Sequence, residues 1–402
     1  MSVGSTPTLA ELARLVSRSV DVIKSHQSPS GAYPASPDFS AYRGYSWLRD
    51  GAFIAEGMSR SGDAAGAGAF HTWCARVIGA RAGRVESLVE RAARGEAVPA
   101  EEMLPTRFTL DGADGADDWW NHQLDGYGTW LWALDRHLNR HGADLPDAVG
   151  AARIAARYLT AFWRQPCYDW WEEHLDRRHV STLGAIHAGL RAAIRLGAAG
   201  DEARTAVAGI ERLIAAEGVA GGPVDGLGPS GPVPPEEGTA PGAATGARPG
   251  EAGPVRHLTK WLGTDAVDAS LLACVEPFGL VAADHPIGVA TVTEVERRLA
   301  RDGGVHRYLA DTFYGGGRWI LLAGFLGWNH ARAGRPGDAL RYLRWMAGQA
   351  TPAGELPEQV SGVLLAPDRH AEWVKRWGTV ATPLLWSHGM YLILADELGI
   401  RP

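Results

Sequence analysis

Near the N-terminus Leu9, Leu12, Val16, Val20 and Ile23 recur at steps of three and four, with polar residues between them. That spacing lays an apolar stripe along one helix face, and Thr8 with Glu11 offers a capping box at its start, so residues 8–25 are predicted to form an amphipathic helix. Periodic or alanine-rich segments of the same kind follow at 48–61, 63–80, 123–141, 146–164, 180–196, 201–216, 265–274, 286–300, 317–334, 336–349 and 379–397. Pro286 falls at a first helical turn, where its missing N–H costs nothing. Strand patterns are scarce. Twelve helices joined by loops that alternate between short and long predict an all-α fold of two concentric rings, an (α/α)6 barrel. Its long loops would gather at one end and carry the chemistry, as loops on a rigid scaffold do.

Residues 218–256 break the pattern, being rich in Gly, Pro and Ala and nearly free of large apolar side chains. Such a segment builds no core and is expected to be a flexible insertion within one catalytic domain spanning residues 1–402. Gly226, Gly228 and Gly231 formally spell GxGxxG, but prolines flank them and neither a strand before nor a helix after is plausible, so a dinucleotide site is not expected.

Composition narrows the function. With 46% hydrophobic and 21% charged residues the chain is that of a soluble globular protein. A net charge of -7 without a sustained Lys/Arg run argues against nucleic acid or an anionic membrane as partner. The absence of a signal-like start and of a long apolar stretch leads to the expectation of a cytoplasmic protein. Cys74, Cys167 and Cys274 are widely spaced and in no CxxC arrangement, so neither disulfides nor zinc is signalled and no cofactor is expected. Monomer and dimer both remain open. There are 16 tryptophans, where ordinary usage gives about a third as many.

GxSxG, a phosphate loop and HExxH are absent, and the 14 histidines are scattered, which removes the usual supports for a serine esterase, a nucleotide enzyme or a zinc hydrolase. What remains is carboxylates and aromatics. In YDWWEEH, residues 168–174, Glu172 and Glu173 follow two indoles. A carboxyl held against indoles loses hydration, and a like-charged neighbour pushes in the same direction, so one of the two is expected to keep its proton. Read as ordinary surface charges, the same pair would simply suit the start of the next helix. GELPEQVSG, residues 354–362, carries Glu355 and Glu358 on a polar loop, where one carboxylate facing the first pair would activate water. YRGYSWLRDGAF, residues 42–53, sets Arg49 and Asp50 beside Trp47 and two tyrosines. Sugars call for that mixture, since their C–H faces stack on aromatics and their vicinal hydroxyls take bidentate polar contacts.

Together these stretches resemble glycoside hydrolase family 15, the glucoamylase-like inverting α-glucosidases. Tyr42–Phe53 resembles the family's aromatic-Trp-x-Arg-Asp motif, WWNHQLDGYG at 119–128 its Gln-Leu-Asp segment, YDWWEEH its acid-catalyst motif and LPEQ at 356–359 its base-catalyst motif, with DASLL at 268–272 and RYLADTFYGGGRW at 307–319 in between. The resemblance implies Glu172 as general acid, Glu358 as general base and Glu173 on the leaving-group side. It implies Arg49 and Asp50 on hydroxyls of the terminal glucose, in a pocket lined by Trp47, Trp120, Trp171, Arg307 and Trp319. Two departures stand out. The family's water-orienting tyrosine stands four residues before the motif Trp, where this chain has Arg43; Tyr42 takes the role if Gly44 is an inserted residue, with Tyr45 as the alternative. Phe313 replaces a common tyrosine whose hydroxyl would hold the water-orienting one.

The implied reaction is exo-hydrolysis with inversion, releasing β-glucose. With neither a β-sandwich ahead of the barrel nor a starch-binding module after it, and no export signal, a short α-glucoside such as isomaltose is expected rather than starch. An α,α-trehalase or a dextrin-acting glucoamylase would share the same catalytic residues. A non-catalytic glycan-binding barrel would share the tryptophans.

Overall fold

The computed structural model describes residues 6–227 and 256–402. In chain order its helices are α1 (Leu9–His26), α2 (Leu48–Arg60), α3 (Ala64–Gly79), α4 (Ala82–Ala93), α5 (Asp125–His141), α6 (Pro146–Phe162), α7 (Val180–Arg195), α8 (Asp201–Glu217), α9 (Leu272–Val275), α10 (Pro286–Leu299), α11 (Ile320–Arg332), α12 (Pro336–Ala347), α13 (Pro367–Trp377) and α14 (Leu385–Glu397). α2, α5, α7, α9, α11 and α14 touch one another in that order and close back on α2. Nearly every residue of these six is buried, whereas α1, α3, α6, α8, α10 and α12 bury one face each and pack around them. This is the (α/α)6 barrel.

Small residues let the inner helices approach closely. A Cβ on Gly128 of α5 would stand 2.3 Å from the Ala185 carbonyl of α7, and one on Gly57 of α2 would meet the Gly389 backbone of α14 at 2.7 Å. Phe53 fills the centre of the ring, stacked on Trp386 at 5.4 Å and 5.0 Å from Phe325.

The helix count differs from twelve because α4 and α13 lie outside both rings. α13 buries no residue, and its charged composition hides the Trp373–Trp377 step. Three predicted starts fall too early. The segment 265–274 is extended up to Asp268, whose carboxylate caps a 3-10 turn (Ala269–Leu271) by accepting the Ser270 amide, and one α-helical turn follows. α11 begins at Ile320 because Arg318–Trp319 is drawn into a strand. α14 begins at Leu385, after Pro383 disfavours helical geometry in the residue before it.

Most of the expected insertion, residues 228–255, lies outside the described residues. Its flanks are packed: Val219 bridges Leu258, and Val219, Ala220 and Leu227 are buried.

Six short strands brace one end of the barrel. β1 (Tyr45–Trp47) pairs antiparallel with β2 (Arg107–Thr109). β3 (Ala300–Arg301), β4 (Gly304–Val305), β5 (Arg318–Trp319) and β6 (Gln359–Val360) form an antiparallel sheet in that order. β1 runs straight into α2 and β5 straight into α11, so Trp47 and Trp319 stand at the mouths of inner helices. The Trp319↔Gln359 pairing fixes the loop carrying Glu358 beside the start of α11.

Candidate active site

The N-terminal ends of the inner helices surround a cavity of about 950 Å3, counted out to its open mouth. Twelve of the residues singled out from the sequence line it: Tyr42, Trp47, Arg49 and Asp50 from the first motif, Trp120 from the second, Trp171, Glu172 and Glu173 from the third, then Arg307, Phe313, Trp319 and Glu358. Glu355 is not in its wall.

The acid-motif loop is folded by Asp169. Its Oδ1 accepts the amides of Trp171 and Glu173, each at 2.9 Å. This tight turn holds Glu172 at φ +63°, a left-handed conformation that costs a residue with a Cβ about 1–2 kcal/mol. Strain of that kind concentrates at functional sites. Glu172 Oε1 accepts the Trp47 indole N–H at 2.9 Å and the Gln123 side-chain amide at 3.0 Å. Gln123 Oε1 in turn accepts from Arg49 at 2.8 Å, and the same guanidinium donates to Asp125 at 3.0 Å and stands 3.4 Å from Asp50. One relay therefore runs from the start of α2 through Gln123, just ahead of α5, to Glu172.

The second carboxylate is held from α14. Ser387 donates to the Pro357 carbonyl at 2.8 Å, and the Leu356 amide donates to His388 Nε2 at 2.9 Å. Burial pushes His388 down to about 3, which keeps this nitrogen an acceptor. Glu358 itself is 2% exposed; its Oε1 accepts the Tyr42 hydroxyl at 3.0 Å, and its Oε2 is buried without a hydrogen-bond partner among the described residues. Tyr45 points elsewhere, to Asp117 at 3.2 Å.

Burial also sets the charge state. It lifts Glu358 to about 7, against the opposing pull of the Tyr42 hydrogen bond and Arg307. Asp50 is likewise lifted to about 7 by burial, with Arg49 working against the rise. Arg307 is held as a cation between the Asp311 carboxylate, which it meets through two nitrogens, and Glu173 at 3.5 Å. Its guanidinium stands 5.2 Å from the Trp171 ring, 5.1 Å from Phe313 and 5.3 Å from Trp319.

Several wall residues escaped the sequence reading. Trp170 and Trp386 form part of the lining and pack against Phe53. Trp373 and Trp377 reach the cavity from α13, Trp373 lying 4.9 Å from Phe313. Trp119 lies beside Trp47, while Trp120 is 38% exposed. Gln123 stood in a quoted motif, yet only the fold reveals that it bridges Arg49 and Glu172. Among the described residues no group of three or more His, Cys, Asp or Glu side chains is arranged to hold a metal ion, the three cysteines are free and buried, and no helix is long and apolar enough to cross a membrane.

A family model described as glycosyl hydrolases family 15 matches residues 12–326. The chain belongs to that family. The match stops short of Glu358, but a longer relative covers it: an isomaltose glucohydrolase of Kribbella flavida is 53% identical over 98% of this chain and 95% of its own length. The solved structure of a glycosidase variant in complex with glucose superposes with a TM-score of 0.86 at 52% identity, covering 98% of both chains. The glucoamylase from Saccharomycopsis fibuligera, at 13% identity, covers 98% of this chain and 95% of its own with a TM-score of 0.66, a likeness of fold alone. As a family 15 member the protein is a glycoside hydrolase.

Proposed function

We propose that this family 15 enzyme cleaves the terminal α-glucosidic bond at the non-reducing end of short α-glucosides, isomaltose foremost, with inversion at the anomeric carbon. The observation that carries the reading is the pairing across one cavity of Glu172 and Glu358, each fixed through one oxygen, by Trp47 and Gln123 in the first case and by Tyr42 in the second. With Oε1 engaged, Glu172 delivers its proton to the departing oxygen through Oε2. Glu358 takes a proton from water on the opposite face of the sugar. Inversion needs the two carboxyls about 6.5–9.5 Å apart so that water fits between base and anomeric carbon. Tyr42 keeps the base oriented. Arg49 and Asp50 hold hydroxyls of the terminal glucose, and Glu173 with Trp120 meets the leaving sugar.

Trp47, Trp171 and Trp319 line the cavity as faces for stacking, and Trp373 and Trp377 from α13 add to its aromatic wall. The high identity to a protein named for isomaltose supports the linkage. Initial rates on isomaltose, maltose, trehalose and soluble starch test the assignment. The expected order puts kcat/KM for isomaltose first. A preference for trehalose or starch would overturn the substrate, and sugar binding without any glucose release would overturn catalysis.

A further inference from the structure

Beneath the acid-motif loop lies a buried cation that does not line the cavity. Lys260 is 5% exposed, and its ammonium stands 3.1 Å from Asp268 Oδ2, 3.8 Å from Asp169 Oδ2 and 3.4 Å from the centre of the Tyr308 ring. Each of these three neighbours holds a different part of the acid motif. Asp169 closes the turn through the amides on either side of Glu172. Asp268 accepts the Trp171 indole N–H, with both oxygens 3.0 Å away. The Tyr308 hydroxyl donates to Glu173. Lys260 is fixed in turn by its own backbone: its amide donates to the Ala266 carbonyl at 2.8 Å, and its carbonyl accepts the Val180 amide at the start of α7 at 3.2 Å.

The cation has a task there because two carboxyls are buried side by side. Asp169 Oδ2 has no hydrogen-bond partner among the described residues; what faces it is Lys260 and His179 Nδ1, 4.0 Å away. Buried carboxylates without a countercharge repel each other and are costly to keep out of water. Glu172 sits at φ +63°, so its backbone has to be held in place by the turn rather than resting there by preference. We propose that Lys260 is a positioning residue for the glycosidic step: by bridging Asp169 and Asp268 it keeps the acid turn closed and Glu172 aimed at the leaving oxygen. The proposal rests on the reading of Glu172 as the general acid.

The test separates proton delivery from general folding by changing the leaving group. Fluoride departs from α-glucosyl fluoride without needing a proton, whereas the sugar leaving from isomaltose needs one. For K260M, kcat on isomaltose is expected to fall about 100-fold, the scale of a misplaced catalytic group, while kcat on the fluoride changes less than about threefold. An equal loss on both substrates, or no loss on isomaltose, would overturn the proposal. If K260M does not accumulate as folded protein, Asp268→Asn removes the other side of the bridge and is held to the same split. Glu172→Gln runs alongside as the control for the underlying reading. If E172Q itself shows no preference for the fluoride, the acid assignment is wrong; if E172Q shows the split and K260M does not, Lys260 alone has been misread.

Discussion

Tyr42, on the loop ahead of β1 and α2, donates its hydroxyl to Glu358, on the loop between α12 and β5's partner strand β6, across a distance of 3.0 Å. The bond ties the first catalytic motif to the last and favours the ionised form of a carboxyl that burial lifts to about 7. A base acts only when ionised, so kcat/KM is expected to rise with pH up to about 7 rather than levelling off near the ordinary carboxylate value. Tyr42→Phe removes a contact that lowers the Glu358 value, which moves that acid limb to higher pH and cuts the rate. A pH profile of both proteins checks it. An unshifted limb in Y42F would contradict the account.

Gln123 is the joint between Arg49 and Glu172. Gln123→Ala leaves a buried guanidinium N–H without its 2.8 Å acceptor and removes one of two donors from Glu172. The expected cost is about 1–3 kcal/mol of stability together with a fall in kcat. Thermal unfolding and steady-state kinetics measure the two parts.

Trp373 and Trp377 offer a contrasting case, because α13 buries none of its residues. Truncating either to Ala is expected to lower the melting temperature only modestly, since each ring is half-buried, and to raise KM by up to about tenfold, the scale of one lost aromatic stack. Unaltered KM in both variants would remove α13 from the substrate site.

Phe53 lies under the cavity floor, against Trp170 and Trp386. Phe53→Ala is expected to destabilise the protein by about 3–5 kcal/mol, since the surrounding rings can collapse only partly into the space left. Chemical denaturation checks the size of the effect.

Much of this was legible in the sequence. Amphipathic periodicity marked α1, and periodic or alanine-rich runs marked the other helices of both rings. The cavity residues were legible because sugar chemistry leaves a compositional trace, acids beside indoles and Arg next to Asp. What was hidden depends on distance in space. α13 reads as a charged surface segment until its two indoles are seen to face the cavity. Nothing about a Glu on a polar, proline-containing loop announces that Glu358 is almost fully buried; that follows from Ser387 and His388 drawing the loop onto α14. Lys260 carried no motif at all, and its importance appears only where Asp169 and Asp268, far apart in the chain, meet over it.

The central claim, two opposed carboxyls acting on either face of one glucose, is tested most directly by proton NMR of the sugar first released from isomaltose. Each turnover also frees the reducing-end glucose as the anomeric mixture it already was, so β-glucose is expected to run initially in excess of the equilibrium mixture and to mutarotate back towards it. An initial excess of α-glucose over the equilibrium mixture would contradict the account, because it requires retention and removes Glu358 from its role as base.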